Sequence, residues 1–125
     1  MAKTTEQIRN IAVCGHSGAG KTMLSEAMLF NMGITNRMGR IEDGTTVSDY
    51  DKGEIERQIS LKVSLLNGEW QSHHLNILDT PGYTDFIAEA KAALRVADAS
   101  ITVIDGVGGI EIGTERVWNF AAEYK

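Results

Sequence analysis

Eight consecutive residues, Gly15-His16-Ser17-Gly18-Ala19-Gly20-Lys21-Thr22, fit the spacing G-x-x-x-x-G-K-[ST] of a phosphate-binding loop. Glycines remove the side chains that would keep a phosphate away from backbone N–H groups. A helix beginning at the end of the loop points its own free N–H groups at the same anion. In such a loop Lys21 reaches the β- and γ-phosphates and the Thr22 hydroxyl ligates Mg²⁺. The competing reading is a glycine-rich turn that binds nothing, and the flanks argue against it. Asn10-Ile11-Ala12-Val13-Cys14 is an apolar run suited to a buried parallel strand. Beyond the loop, Leu24, Ala27 and Met28 recur at helical spacing until Gly33 offers a stop.

A second candidate lies at Asp79-Thr80-Pro81-Gly82, a D-x-x-G that follows another apolar run. Alone it is ordinary turn chemistry. At the carboxyl end of a strand beside a phosphate loop, the acid is placed to hold Mg²⁺ through water, and the Gly82 N–H is placed to sense a γ-phosphate.

Several elements must position these two loops. Residues 34–58 are polar and glycine-punctuated and read as a solvated, mobile segment; the acidic Glu42, Asp43, Asp49, Asp51, Glu54 and Glu56 do not have the spacing of a calcium loop. Ile59, Leu61, Val63 and Leu65 alternate with Ser60, Lys62 and Ser64, which predicts a half-buried strand. Asn67-Gly68 then predicts a type I′ turn, with Trp70 to Leu78 returning as the second strand of an antiparallel hairpin. Trp70 is read as a packing residue. His73 and His74 are adjacent, so in a strand they face opposite ways and cannot chelate one ion together. Phe86, Ile87, Ala90, Ala93, Leu94 and Ala97 mark a helical face. Ser100 to Asp105 predicts another buried strand. A glycine-rich connection from Gly106 to Gly113 leads to a helix starting near Thr114, with Val117, Trp118 and Ala121 turned inward. That helix meets no stop signal before Lys125, which reads as truncation.

The 125 residues suffice for one domain or part of one. With 17 acidic and 12 basic side chains the net charge is −5, which argues against a general nucleic-acid-binding face. The single Cys14 cannot form an internal disulfide and suits the reducing cytoplasm. The first residues lack the apolar core of a signal peptide and no apolar run approaches the ~18 residues of a membrane span, so no membrane partner is expected.

From about Ile8 onward the chain resembles the translational GTPases, and among them elongation factor G and its elongation factor G-like relatives. Gly15 to Thr22 looks like the first GTPase motif of that family and Asp79 to Gly82 like the third. Glu56-Arg57-Gln58-Ile59-Ser60 stands where elongation factor G carries Arg-Gly-Ile-Thr. Ala92-Ala93-Leu94-Arg95-Val96-Ala97-Asp98-Ala99 and Gly113-Thr114-Glu115-Arg116-Val117-Trp118 look like the elongation factor G-like branch.

The resemblance implies an α/β fold of the P-loop NTPase class: a three-layer sandwich, mostly parallel with one antiparallel strand. Residues 1–125 would then be the N-terminal portion of a translation-factor G domain, truncated. Its cofactors would be GTP or GDP with Mg²⁺, and its partner, through the full-length protein, the ribosome. The nucleotide would be held by Gly15, His16, Ser17, Gly18, Ala19, Gly20, Lys21, Thr22, Asp79, Thr80, Pro81, Gly82 and Tyr83. Mg²⁺ would be held by Thr22, Ser60 and Asp79, and Lys21, Gly82 and Tyr83 would serve hydrolysis.

Three departures from the pattern matter. Gln58 replaces the usual glycine and Ser60 the usual threonine. Tyr83 replaces a histidine that helps position the attacking water; a phenol near pKa 10 takes up no proton at pH 7, and it either orients water through its hydroxyl or packs. The guanine-reading Asn-Lys-x-Asp and the later Ser-Ala motif are absent, so guanine specificity is implied by resemblance alone. Two rival readings follow: a nucleotide-controlled binding module with negligible hydrolysis, and a P-loop ATPase of another class, which the antiparallel hairpin disfavours. The resemblance also implies two further strands beyond Ser100–Asp105. Without them that edge is bare, and the fragment is expected to self-associate through it.

Overall fold

The computed structural model describes residues 3–124. Four strands, β1 (Ile8–Gly15), β2 (Ser64–Trp70), β3 (His73–Asp79) and β4 (Ala99–Val103), form one sheet in the order β2-β3-β1-β4. β1 runs parallel to β3 and β4, and β2 is antiparallel to β3. The helices are α1 (Lys21–Asn31), α2 (Lys52–Arg57), α3 (Ile87–Val96) and α4 (Ile112–Glu123). Among the described residues no helix is long and apolar enough to cross a membrane.

The sheet is covered on both faces, which explains the unbroken apolar run of β1. Alternate residues point to opposite sides. Ala12 and Cys14 pack with Ala90, Ala93 and Leu94 of α3 and Val117 of α4. Val13 packs with Leu29 of α1 and with Leu66 and Ile77. This is the expected three-layer α/β architecture. Full burial of a side chain such as Leu29 or Ile77 is worth about 1.5–3 kcal/mol. α1 ends as Gly33 suggests: Gly33 is left-handed at φ 72°, with its N–H on Phe30 O and the Ile34 N–H on Leu29 O.

The hairpin differs from expectation. Its turn is at Gln71-Ser72, with φ of 46° and 70°, while Asn67 and Gly68 lie within β2 opposite Asn76 and Leu75. Gly68 serves packing instead of turning: a Cβ there would lie 2.9 Å from Met32 Sδ and 3.0 Å from Ile34 Cγ1. The strand begins only at Ser64, so Ile59 to Val63 are outside the sheet. Ser64 and Leu66 are buried, and Leu65 is 62% exposed. The alternation of apolar residues in the sequence therefore marks the wrong face, the consequence a one-residue shift always has in a strand.

Residues 34–58 are largely exposed, as expected of a solvated segment, but they are not wholly a loop and part of them is anchored. Thr46, Ser48, Asp49 and Glu54 are buried, and α2 forms within the segment. Asp51 caps α2 by accepting the Gly53 N–H at 2.9 Å, and Glu54 reaches back to the Asp51 N–H at 3.3 Å. The signal is present in the sequence as Asp51-x-x-Glu54.

The other edge also departs from expectation. β4 pairs with β1 alone, and Ala99, Ser100 and Ile101 are exposed, so this strand is not buried. α4 starts at Ile112, where the Glu111 N–H donates to Thr114 Oγ1 at 3.3 Å. Its inward stripe is Thr114, Val117 and Ala121, and Trp118 is 65% exposed. Among the described residues no strand lies beyond β4, so the side of α4 that carries Trp118 has no sheet to meet.

Candidate functional site

Both candidate loops leave the carboxyl ends of neighbouring parallel strands, β1 and β3, where open α/β sheets place their ligands. Residues 15–20 join β1 to α1. Gly18 and Gly20 have φ of 76° and 97°, and Gly20 caps α1 in a conformation that suits glycine. The loop closes on the carbonyl of His16, which accepts the Ala19 N–H at 3.3 Å and the Lys21 ammonium at 2.7 Å. Lys21 is only 6% exposed, and burial lowers its pKa from the usual lysine range against the pull of Asp79. A cation held in a ring of backbone groups is complementary to a multiply charged anion.

The second loop is fastened before it reaches the first. Thr80, fully buried, gives both its N–H, at 3.2 Å, and its hydroxyl, at 2.8 Å, to Val13 O. Gly82 then lies against the first loop, where a Cβ would stand 2.4 Å from Lys21 Nζ and 2.6 Å from Ser17 N. No side chain fits between the two loops at that point.

Beside this contact, Thr22 Oγ1 donates to Asp79 Oδ2 at 2.9 Å and lies 3.2 Å from Ser60 Oγ. Ser60 Oγ donates to Asp49 Oδ1 at 2.6 Å. Asp79 is 1% exposed. Burial pushes its carboxyl up to about 6, with the Thr22 hydrogen bond opposing and the nearby Asp49 adding to the rise. Burial also raises Asp49. Oδ1 of Asp79 is buried with no hydrogen-bond partner. Two carboxylates and two hydroxyls make a hard, all-oxygen donor set with an unmet acceptor, which fits Mg²⁺ far better than zinc. Among the described residues no three His, Cys, Asp or Glu side chains cluster as a metal site.

A cleft of about 260 Å³ runs between these groups, lined by Ser17, Gly18, Gly20, Lys21, Thr22 and, opposite, Asp49, Gln58, Ser60, Gly82 and Tyr83. Larger hollows of about 420 and 510 Å³ flank Trp118 and bring no lysine or arginine to their walls.

The anticipated residues thus divide. Ser17, Gly18, Gly20, Lys21, Thr22, Ser60, Gly82 and Tyr83 line the cleft, and Asp79 joins them through Thr22. Tyr83 is 43% exposed and outside the core. Thr80 and Pro81 are buried, and the Thr80 side chain is committed to β1. Gly15 ends β1 opposite Val103. The His16 ring turns away to α4, its Nδ1 accepting the Gly113 N–H at 3.3 Å and its Nε2 3.5 Å from Glu111 Oε1. Asp49 is the site residue that the sequence conceals, because one acid among six in a polar segment carries no periodic signal.

Comparison with known proteins identifies the family to which the chain belongs. Residues 6–125 match the elongation factor Tu GTP-binding domain. The chain is 43% identical over 119 residues to elongation factor G of Dehalococcoides mccartyi, covering 95% of the chain and 17% of that protein. It is 42% identical over 116 residues to the mitochondrial ribosome-releasing factor 2 of Scheffersomyces stipitis, covering 93% of the chain and 14% of that protein. A crystal structure of a protein from Thermus thermophilus superposes with a TM-score of 0.90 at 38% identity, over 94% of this chain and 18% of that one. A bacterial selenocysteine-specific elongation factor does so with a TM-score of 0.72 at 25% identity, over 91% of this chain and 17% of that one. The chain spans less than a fifth of each of these relatives. It belongs to the elongation factor Tu GTP-binding domain family.

Proposed function

We propose that this chain is the N-terminal portion of the G domain of an elongation factor G-like GTPase, which binds GTP with Mg²⁺, hydrolyses it, and works in the cytoplasm on the ribosome. The observation that carries the reading is the meeting of Thr22, Ser60 and Asp79, from three separate parts of the chain, beside the Lys21 ammonium. Lys21 and the backbone N–H groups of residues 15–22 bind the phosphates. Thr22, Ser60 and Asp79 hold Mg²⁺, which supplies charge neutralisation at the β- and γ-phosphates. Gly82 brings its backbone within reach of the γ-phosphate end of the cleft. Catalysis of this kind is mainly positioning and electrostatics.

Contacts to the γ-phosphate order residues 34–60 and 80–90, and their loss on hydrolysis releases both segments. Tyr83, at the rim of the cleft, orients the attacking water through its hydroxyl. If the ribosome accelerates hydrolysis ~10⁵-fold, as partners do for other GTPases, it lowers the barrier by about 7 kcal/mol. The isolated protein is therefore slow.

Competition of ATP against GTP on the complete protein is the direct test. GTP is expected to win, and a preference for ATP overturns the reading. Exposure of Tyr83 at the cleft favours one alternative, a nucleotide-controlled binding module with negligible hydrolysis. Phosphate release stimulated by ribosomes supports the GTPase; tight GTP binding with no such release supports the module.

A further inference from the structure

Residues 39–63 bring Asp49 and Ser60 to the cleft without joining the sheet, so backbone donors that turns and the Asp51 cap leave unmet need other partners. Three glutamates supply several of them. Glu54 of α2 accepts the Leu61 and Lys62 N–H groups at 3.0 and 3.3 Å. Glu89 of α3 accepts the Val63 N–H at 3.1 Å. The third, Glu26 of α1, grips the segment twice: Oε2 accepts the Gly39 N–H at 2.9 Å and Oε1 the Val47 N–H at 2.5 Å.

Glu26 is 1% exposed. A carboxylate so buried is tolerable only when its oxygens are well bonded, and charge-assisted bonds to backbone N–H groups are among the stronger kinds. The two arms that it holds already touch, since a Cβ on Gly39 would stand 2.3 Å from Thr45 O. Just past the second arm, Ser48 O accepts the Ser64 hydroxyl at 2.5 Å and Asp49 accepts the Ser60 hydroxyl. Glu26 and Thr22 lie one helical turn apart on the buried face of α1. One rigid helix therefore carries both the grip on the segment and the hydroxyl that the segment must meet.

We propose that Glu26 is a positioning residue. By holding both arms of residues 39–47 it keeps Asp49, and through Asp49 the Ser60 hydroxyl, beside Thr22 and Asp79, and so sets how tightly the cation accompanying the nucleotide is held. The proposal rests on the reading of the cleft as a Mg²⁺–nucleotide site. Glu26 itself acts only through Asp49 and Ser60.

Glutamine at this position keeps the shape of the side chain, but its NH₂ turns a donor toward one of the two N–H groups and converts an attraction into a repulsion. In the complete protein, Glu26→Gln is expected to raise the Mg²⁺ concentration that half-maximally tightens binding of a fluorescent, non-hydrolysable GTP analogue by about tenfold or more. Affinity measured in EDTA, which depends on residues 15–22, stays within about twofold. Hydrogen exchange of the protein saturated with the same analogue reads the grip independently, and the Gly39 and Val47 amides are expected to exchange faster in the variant. Unchanged exchange at both overturns the proposal whatever the metal does; so does faster exchange with an unshifted Mg²⁺ midpoint. Wild-type affinity that ignores Mg²⁺ overturns the metal reading of the cleft, and the proposed tuning falls with it. Leu29→Ala, which loosens the same helix from its core, is expected to leave the midpoint in place; an equal shift shows that Glu26 matters only to general stability. If Glu26→Gln does not fold, Glu26→Asp keeps the charge on a shorter stem that cannot span both arms, and the midpoint must still rise.

Discussion

The two ends of the strand order are built to different standards. Around β1 and β3, both faces of the sheet are covered and polar groups converge on the cleft; Lys21, Thr22, Asp49 and Asp79 are each buried, and Gly82 leaves no space beside Lys21. At the β4 edge Ile101, Ile104, Val107, Ile110 and Trp118 are exposed, and the strand has one neighbour. The phosphate end is complete in itself. The β4 flank has the composition of a core without the layer that would make it one, so side chains of similar size should differ greatly in worth between the two regions.

The widest contrast is expected between Leu29→Ala and Trp118→Ala. Leu29 is 1% exposed and its truncation should cost about 2–5 kcal/mol of stability. Trp118→Ala should change it by about 0.5 kcal/mol or less, despite the larger side chain. Urea unfolding of the two variants measures both, and equal losses would break the distinction between the regions.

Next in size is the dependence on pH, which belongs to the phosphate end alone. The Asp79 carboxyl titrates at about 6 when folded, against an ordinary value of 3.8. Between those values the native state binds more protons than the unfolded one, so stability falls as pH rises from about 4 to 6. At full effect that is about 3 kcal/mol, with Asp49 contributing in the same direction. Asp79→Asn should flatten the slope in thermal unfolding of the nucleotide-free protein. A slope that survives the substitution would place its origin elsewhere.

At the β4 edge the expected effect is association. Residues 1–125 should show a mass that grows with concentration in sedimentation, and Ile101→Lys should suppress it, because a charge on an edge strand discourages pairing. A monomer at high concentration would mean that the bare edge protects itself.

The smallest effect concerns Gln58, which caps α2 in the left-handed conformation at φ 55°. Gln58→Gly should relieve this backbone and stabilise the protein by up to about 1 kcal/mol, seen as a small rise in Tm. A destabilised variant would show that the Gln58 side chain contributes more at the rim of the cleft than the strain costs.

What the sequence discloses follows the same boundary. The phosphate loop, β1, α1 with its glycine stop, and the face of α3 are legible because each is organised by neighbours a few residues away, where spacing is informative. The position of the hairpin turn is not. Asn67-Gly68 has the right turn chemistry, but Gly68 answers to Met32 and Ile34, whose proximity no local pattern reveals. Trp118 misleads for the converse reason, since apolarity in a helix says that a partner is wanted and not that one is present. Glu26, Asp49 and Glu54 look like solvated charges in sequence; Glu26 and Glu54 are buried because segment 39–63 turns its N–H groups to them, and Asp49 because it receives the Ser60 hydroxyl. Asp51-x-x-Glu54 shows that a capping pattern carries weight even within a polar stretch.

The pair of hydrogen bonds from Thr80 to Val13 O has a further consequence, one of timing. With the N–H and hydroxyl of one residue on a single carbonyl, the origins of the two loops are riveted together at the sheet and drift as a single body. The slow clock of the site then lies in residues 39–63, whose grips by Glu26, Glu54 and Glu89 can let go one after another. Loops fluctuate in nanoseconds to microseconds, while collective openings take microseconds to milliseconds or longer. A variant with one carboxylate grip fewer is therefore expected to release its nucleotide sooner, which the decay of a fluorescent nucleotide signal would measure.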